Sequence, residues 1–295
     1  MPYSQQHILT LPAKPSSSLV RLALGVCAFA LGVIVLNFFY YASLTNFLPS
    51  GTWPILAHEL DTGSTPRAVL ALLFSFLLII LALALALAIA HDRTVASLVG
   101  PPRAALRDFA LACTALLVLN AGLAFVPLPR DMALEPGLST SIWLRFLPLA
   151  LLGLLIQISA EELVFRGYLQ SQLAARFNHP AIWIVLPSVI FGALHYDPDV
   201  AGKNAALIAL WAVCFGLAAA DLTARTGTLG AACALHFSTN FSAILITSTR
   251  GSLDGLALYN YPFTMSDTAI IAQWLPVDAL VLLCSWLTAR LVLKR

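Results

Sequence analysis

The stretch QISAEELVFRGY, residues 157–168, places two adjacent glutamates and an arginine at the end of a long apolar run. The run that leads into it, from Ile142 to Ile158, has almost no other polar group. An ionised side chain in a membrane-spanning helix costs about 2.5 kcal/mol or more, so it normally faces a protein interior or a wet cavity. The stretch therefore predicts a membrane helix that ends in a buried polar site.

Spacing separates the roles of the three charged residues. Glu162 and Arg166 are four residues apart, so they share one helix face, where a carboxylate that precedes a cation pairs well. Glu161 lies about 100° further round the helix. The spacing predicts an ion pair between Glu162 and Arg166 and leaves Glu161 free for chemistry.

The composition of the whole chain is that of a membrane protein. Of its 295 residues, 60% are hydrophobic and only 10% are charged, whereas soluble domains contain about 25% charged residues. The net charge of +2 is small, and the cationic residues are spread along the chain. The sequence thus indicates a lipid bilayer as the environment and gives no sign of nucleic-acid binding.

Apolar runs along the chain predict the number of membrane crossings. A membrane helix needs about 20 mostly apolar residues, and eight runs of about that size predict an all-α, polytopic membrane helix bundle. The runs are 19–41, 68–90, 106–126, 142–165, 181–195, 205–221, 229–247 and 269–293. The connecting segments, including 49–66 and 249–268, are predicted to be loops. We expect tilting or kinking in the fifth and eighth runs because they contain Pro187 and Pro276.

The runs also divide the chain into four parts. Residues 1–18 are predicted to be a cytoplasmic N-terminal tail, and 19–130 hold transmembrane helices without motifs. Residues 142–248 are predicted to be the catalytic helical core. Residues 249–295 are predicted to form a loop, the last transmembrane helix and a basic C-terminal tail.

Basic residues in the short connections predict the orientation. If the N-terminus is cytoplasmic, ten of the 16 Lys and Arg residues fall on the cytoplasmic side and five on the other, with Arg166 set aside. Positive charge near helix ends is enriched on the cytoplasmic side. The sequence therefore predicts that both termini are cytoplasmic, which requires an even number of crossings.

Later polar residues are predicted to meet the glutamates. A turn at residues 178–180 folds the chain back so that His195 lies level with Glu162, since each is about 17 residues from the turn. His195 follows Phe191 by four residues, and Asn240 follows His236 by four, so each pair is expected to share a helix face.

Together these residues are suited to the hydrolysis of an amide. A buried carboxylate such as Glu161 acts as a general base on water. A histidine orients that water or protonates the leaving amine, and Asn240 with a second histidine donates hydrogen bonds to the oxyanion. Alternatively, Glu161, His195 and His236 supply three ligands of a metal site with an open water position, zinc being the candidate ion. The HExxH motif is absent, and no spacing in the sequence requires a metal.

Three motifs resemble those of the CAAX protease and bacteriocin-processing (CPBP) family of intramembrane proteases, also described as Abi or CAAX prenyl protease 2-like. The motifs are EExxFRG at 161–167, FxxxH at 191–195 and HxxxN at 236–240. They occur in the family's order, and the resemblance covers roughly residues 147–248. The family includes the type II prenyl-protein endopeptidase.

The resemblance implies a role for each motif residue. Glu161 would be the base, His195 and His236 would position water or bind a metal, Asn240 would donate to the oxyanion, and Glu162 with Arg166 would be the supporting pair. The family is described both as metalloproteases and as glutamic proteases, and the sequence leaves that choice open. The implied substrate is a membrane-anchored or lipid-modified protein or peptide. We expect a multi-pass protein of a bacterial inner membrane, with the oligomeric state undetermined by the sequence.

Two other functions are compatible with the same residues. A non-catalytic immunity or partner-binding protein would keep the polar cluster as a structural core, with Glu162 and Arg166 as an ion pair that fixes helix packing. Gln157 likewise fits an interhelical hydrogen bond, although it lies one turn before Glu161. A proton-coupled transporter of small solutes would use the buried groups as a relay. It would also show two related halves, and no such symmetry is evident.

Overall fold

The computed structural model describes residues 3–49, 51–126 and 132–295 of the chain. In these ranges the architecture is a helical bundle with one small sheet. Its main helices are α1 (Leu19–Phe47), α2 (Thr52–Thr62), α3 (Pro66–His91), α4 (Pro102–Leu123), α5 (Thr140–Arg176), α6 (Pro180–Ala193), α7 (Ala205–Thr226), α8 (Gly230–Ile246) and α9 (Thr268–Leu293).

Most of these helices are suited to cross a membrane. Helices α1, α3, α4, α5 and α9 are long and apolar enough, as is the helical stretch Pro198–Thr226 that contains α7. Helices α6 and α8 are apolar but shorter. Each of the eight predicted runs corresponds to one of these helices, which confirms the all-α polytopic bundle. At 1.5 Å per residue, the 14 residues of α6 cover about 21 Å, less than the roughly 30 Å of a bilayer core.

The connections between the membrane helices contain more structure than the sequence predicts. The predicted loop 49–66 contains α2, an 11-residue helix, so that prediction was wrong. Helix α2 is too short and too polar to be recognised as a membrane crossing. The predicted loop 249–268 contains a strand, Tyr259–Tyr261.

A three-stranded sheet caps one end of the bundle. Its strands are β1 (Glu135–Pro136), β2 (Thr247–Thr249) and β3 (Tyr259–Tyr261), and β3 lies in the centre. Strand β1 pairs antiparallel with β3, and β2 pairs parallel with it. The sheet thereby ties the end of α8 to the connection that precedes α5.

Two helices change their hydrogen-bonding pattern directly after predicted site residues. Helix α5 is π-helical over Leu163–Gln170, immediately after Glu162, and α8 is π-helical over Phe241–Ile246, immediately after Asn240. Short π-helical insertions in α-helices occur frequently at functional sites. The two changes therefore mark the same region of the bundle from two helices.

Helices α3 to α9 contribute buried residues to the main apolar core. Val164, Phe191, Phe215 and Leu235 are among its buried members. Helices α6 and α7 approach closely because Gly216 lacks a side chain: a Cβ there would lie 2.9 Å from the Cβ of Ser188. The outward faces of the bundle are apolar and exposed, as lipid-facing surfaces are; in the most apolar part of α1 only 6% of residues are buried.

The N-terminal segment, residues 4–16, forms short helical turns that pack on the bundle. Leu9 is fully buried. The hydroxyl of Tyr3 donates a hydrogen bond to Asp221 of α7 at 2.9 Å, and the indole of Trp286 in α9 donates to the same carboxylate at 2.9 Å. Both ends of the chain therefore lie at the same end of the bundle.

Candidate active site

Glu162 is buried inside the protein, where it contacts Arg166 and His236. Its carboxylate is fully buried. Arg166 Nη1 donates to Glu162 Oε1 at 3.1 Å, and His236 Nδ1 donates to the same oxygen at 2.8 Å. The other end of the guanidinium donates to the Gly216 carbonyl at 3.3 Å, and its carbon lies 4.7 Å from the centre of the Phe191 ring. The predicted ion pair between Glu162 and Arg166 is confirmed.

Glu161 has a different environment although it is the next residue. Its side chain is 16% exposed. Oε1 accepts a hydrogen bond from Gln157 Nε2 at 2.8 Å. Oε2 lies 3.5 Å from His236 Nε2 and has no hydrogen-bond partner among the residues that the structure describes. One oxygen of this carboxylate is thus held, and the other is buried without a hydrogen bond.

His236 lies between the two carboxylates. Its Nδ1–H points to Glu162, so in the neutral ring Nε2 is an acceptor, and in the protonated ring both nitrogens are donors. The side chain is only 4% exposed. The Phe215 ring packs 4.8 Å away, centre to centre, which fixes the plane of the imidazole.

His195 lies just beyond the last residue of α6, Ala193. Its Nδ1–H donates to the carbonyl of Phe191 at 2.8 Å, and the two rings are 4.5 Å apart, centre to centre. Because Nδ1 is the donor, the neutral ring presents Nε2 as an acceptor.

Asn240 contributes an amide from the end of the α-helical part of α8. Its Nδ2 donates to Gln157 Oε1 at 2.9 Å. An amide nitrogen has two N–H groups, so one of them is committed to Gln157 and the other is left for a further partner.

A small cavity joins these groups. Its volume is about 60 Å³, enough for more than one water molecule, since about 10–15 Å³ suffices for one. Its lining is Gln157, Glu161, Phe191, His195, Trp211, Phe215, His236, Thr239 and Asn240. Four of the six predicted site residues therefore meet at one cavity, and Glu162 and Arg166 lie behind it.

Three residues of the lining, Trp211, Phe215 and Thr239, were not predicted from the sequence. Trp211 stacks on Phe215, with ring centres 6.0 Å apart, and Thr239 precedes Asn240. The available signal was spacing, because Trp211 is one helical turn before Phe215 and so shares its face. Gln157 was recognised as a neighbour of Glu161 but was interpreted first as a packing residue.

The same geometry gives no support to the three-ligand metal site. Among the described residues, no three His, Cys, Asp or Glu side chains form a group that could hold a metal ion. Nδ1 of His236 is directed to Glu162 and Nδ1 of His195 to a backbone carbonyl. Glu161, His195 and His236 line one cavity, and the three-ligand metal site stays a prediction.

Fold and site together define a class: a multi-pass integral membrane protein with a carboxylate, two imidazoles and a carboxamide at one cavity between its helices. Comparison with known families agrees with this. Residues 143–242 match the family described as type II CAAX prenyl endopeptidase, Rce1-like. This region, about a third of the chain, is therefore similar to the Rce1-like family, as its motifs indicate.

A bacterial relative shares part of the chain. The uncharacterized protein YyaK of Bacillus subtilis (strain 168) is 28% identical over 121 residues, which are 41% of this chain and 40% of that protein. The match thus spans less than half the length of the relative. No solved structure matches the chain with significance.

Proposed function

We propose that the protein is an intramembrane endopeptidase that hydrolyses a peptide bond of a membrane-anchored or lipid-modified protein or peptide. The observation that supports this most is the half-free carboxylate of Glu161 at a cavity of water size, shared with His195, His236 and Asn240. General bases must lie within hydrogen-bond reach of the proton that they remove, directly or through one water.

Glu161 and His195 would orient the attacking water. Both Oε2 of Glu161 and Nε2 of neutral His195 accept hydrogen bonds, so a water between them directs its two O–H bonds to these acceptors and a lone pair to the scissile carbonyl. Glu161 takes one proton as the water oxygen bonds to the carbonyl carbon. The water thereby becomes a hydroxide equivalent only as it attacks.

Asn240 and His236 would stabilise the later steps. The uncommitted N–H of Asn240 donates to the developing oxyanion, and a preorganised donor of this kind typically contributes about 10²–10³ in rate. The tetrahedral intermediate collapses when the C–N bond breaks. The leaving nitrogen then takes the proton held by Glu161, directly or through Nε2 of His236, which lies 3.5 Å from Oε2.

Glu162 and Arg166 would set the state of His236. The buried carboxylate accepts from Nδ1 of the ring, which fixes its orientation and tautomer, while the guanidinium balances the charge of Glu162. In other sites, too, a carboxylate that accepts from one ring nitrogen orients the histidine and fixes its tautomer. Neither residue lines the cavity, so we assign both a supporting role.

The position of the site supports a membrane-held substrate. The cavity lies among helices whose outer faces are apolar. A substrate anchored in the same bilayer reaches such a cavity at a high local concentration. Prenylated CAAX proteins are the substrates that the family's description names; for a bacterial host we propose a membrane-anchored peptide or protein.

Cleavage by purified, reconstituted protein tests the proposal. The full chain and its Glu161→Gln variant are placed in vesicles with a fluorescent peptide that carries either a transmembrane anchor or a prenyl group. We expect the wild type to cleave at least one substrate and Glu161→Gln to lose about 10²–10⁴ in rate, with an unchanged unfolding midpoint. Glu135→Gln, at the exposed sheet, is the matched control. Retained cleavage by Glu161→Gln would reject the role of this residue, and binding without cleavage by the wild type would favour a partner-binding protein.

A further inference from the structure

Gln157 connects the two groups that act on opposite sides of the scissile carbonyl. It lies on α5 one helical turn before Glu161 and is 7% exposed. Its Nε2 donates to Glu161 Oε1 at 2.8 Å, and its Oε1 accepts from Asn240 Nδ2 at 2.9 Å. Both ends of a single side chain are therefore engaged, one on its own helix and one on α8.

The contact with Glu161 determines which carboxylate oxygen is reactive. Because Oε1 is held by the amide, Oε2 is the oxygen that has no partner among the described residues and lies beside His236. The amide is neutral, so it fixes the carboxylate without forming an ion pair. Glu162 shows the alternative, since the guanidinium of Arg166 contacts its carboxylate at 3.1 Å.

The contact with Asn240 determines the direction of the oxyanion donor. With one N–H of Asn240 given to Gln157, the amide plane is fixed and the second N–H has a single direction. Without Gln157 the Asn240 side chain would be free to rotate about χ2, which is a broad torsion for this residue. Catalytic geometry is sensitive to such freedom, and a displacement of 1 Å can cost about 10² in rate.

We propose that Gln157 is a positioning residue that holds the base Glu161 and the oxyanion donor Asn240 in one fixed arrangement. The inference rests on the proposed peptidase function and adds a residue to it. The competing explanation is an ordinary interhelical hydrogen bond between α5 and α8. The chain offers a matched example of that, because Asn120 of α4 donates to Ser238 of α8 at 2.8 Å.

The test compares Gln157→Met with Asn120→Leu in the reconstituted cleavage assay. Gln157→Met keeps the shape but removes both hydrogen bonds, and we expect kcat to fall by about 10² while KM for the anchored peptide is unchanged. Asn120→Leu removes an interhelical hydrogen bond to the same helix and should lower the unfolding midpoint without changing kcat. Wild-type kcat in folded Gln157→Met would overturn the inference.

A second variant and a double-mutant cycle complete the test. If Gln157→Met does not fold, Gln157→Glu replaces it, because it keeps the length and the acceptor for Asn240 but removes the donor to Glu161. We expect kcat to fall for this variant too.

A double-mutant cycle combines Gln157→Met with Asn240→Ala. We expect the combined loss of kcat to be smaller than the product of the two single losses, since the residues act as a unit. Losses that multiply would overturn the coupling. Inactive Glu161→Gln with unaffected Gln157 variants would reject only this inference, whereas active Glu161→Gln would reject the peptidase itself.

Discussion

Helix α5 contributes to two buried polar clusters, and each of them contains a histidine from another part of the chain. The site cluster consists of Gln157, Glu161, Glu162, His236 and Asn240. The anchor cluster consists of Ser16, His91, Tyr168 and Gln172. In the anchor cluster His91 Nδ1 accepts from Gln172 at 2.9 Å and Nε2 donates to the Tyr168 hydroxyl at 2.8 Å.

The two clusters differ in charge and in access. All four side chains of the anchor cluster are neutral in these contacts and at most 3% exposed. In the anchor cluster the oxygen without a partner among the described residues is the amide oxygen of Gln172. In the site cluster one carboxylate oxygen of Glu161 and one of Glu162 are in that position, and of these two residues Glu161 lines the cavity.

The comparison shows that buried polar side chains stabilise helix packing in the anchor cluster and support chemistry in the site cluster. A buried polar network of neutral side chains fixes the packing of its helices. A buried carboxylate that keeps one free oxygen beside a water-sized space retains the capacity to take a proton. A histidine in an apolar helix is therefore not informative by itself; its second nitrogen and the space next to it are.

The largest difference in kcat should come from replacing the histidine of each cluster, His236 and His91, by glutamine. We expect His236→Gln to lower kcat by about 10²–10⁴, because it removes the imidazole next to Glu161, while the unfolding midpoint changes little. His91→Gln should do the opposite: it should lower the midpoint and leave the kcat of the folded protein unchanged. The measurements are kcat in vesicles and thermal unfolding in detergent. Equal losses of kcat in the two variants would abolish the distinction between the clusters.

The next effect concerns the charge behind the cavity. Arg166→Met leaves the carboxylate of Glu162 buried with an uncompensated charge, which we expect to cost about 3–5 kcal/mol of stability. The double variant Arg166→Met with Glu162→Gln removes both charges and should recover most of the stability but not the activity. Unfolding midpoints of the single and double variants measure this. A double variant no more stable than the single one would contradict the role of Arg166 as the counter-ion of Glu162.

A smaller effect is expected at the anchor cluster. Gly25 of α1 lies against it: a Cβ there would be 2.1 Å from the Tyr168 hydroxyl and 2.5 Å from His91 Nε2. Gly25→Ala should therefore separate α1 from the cluster at a cost of about 1–3 kcal/mol, without a change in KM. Gly122→Ala, where a Cβ meets nothing within 4 Å, is the control. Similar midpoints for the two variants would show that the anchor cluster is loosely packed.

The smallest effect is expected at the N-terminal segment. Tyr3→Phe removes the hydroxyl that donates to Asp221, a carboxylate that Arg225 and Trp286 also contact. Because the other two donors remain, we expect a loss of about 0.5–1.5 kcal/mol, seen as a slightly lower unfolding midpoint with unchanged kcat. A large loss of kcat would show that the N-terminal segment affects the active site, which would contradict the separation between the two clusters.

Much of the site was predictable because its contacts are local. The pair of Glu162 and Arg166 follows from a spacing of four residues, and so does the contact between Gln157 and Glu161. The level of His195 follows from the length of the two arms of a hairpin. The helix α2 was missed because hydropathy identifies membrane crossings and is insensitive to a short helix in a connection.

Contacts between distant parts of the chain were not predictable in the same way. Nothing in the sequence states that Nδ1 of His236 faces Glu162 rather than Glu161, or that Gln157 bridges to Asn240. The packing of the N-terminal segment against α7 is equally invisible, since residues 1–18 are mostly polar and contain three prolines. Each of these contacts depends on the rotation of one helix relative to another.

The sequence by itself determined the all-α membrane bundle and the residues that enter it with polar side chains, because hydropathy and a period of 3.6 residues act along the chain. Only the tertiary structure decided which of the two glutamates lines a cavity and which histidines lie there with it. Those outcomes depend on how four helices pack, and packing is a property of surfaces that meet from distant parts of the chain.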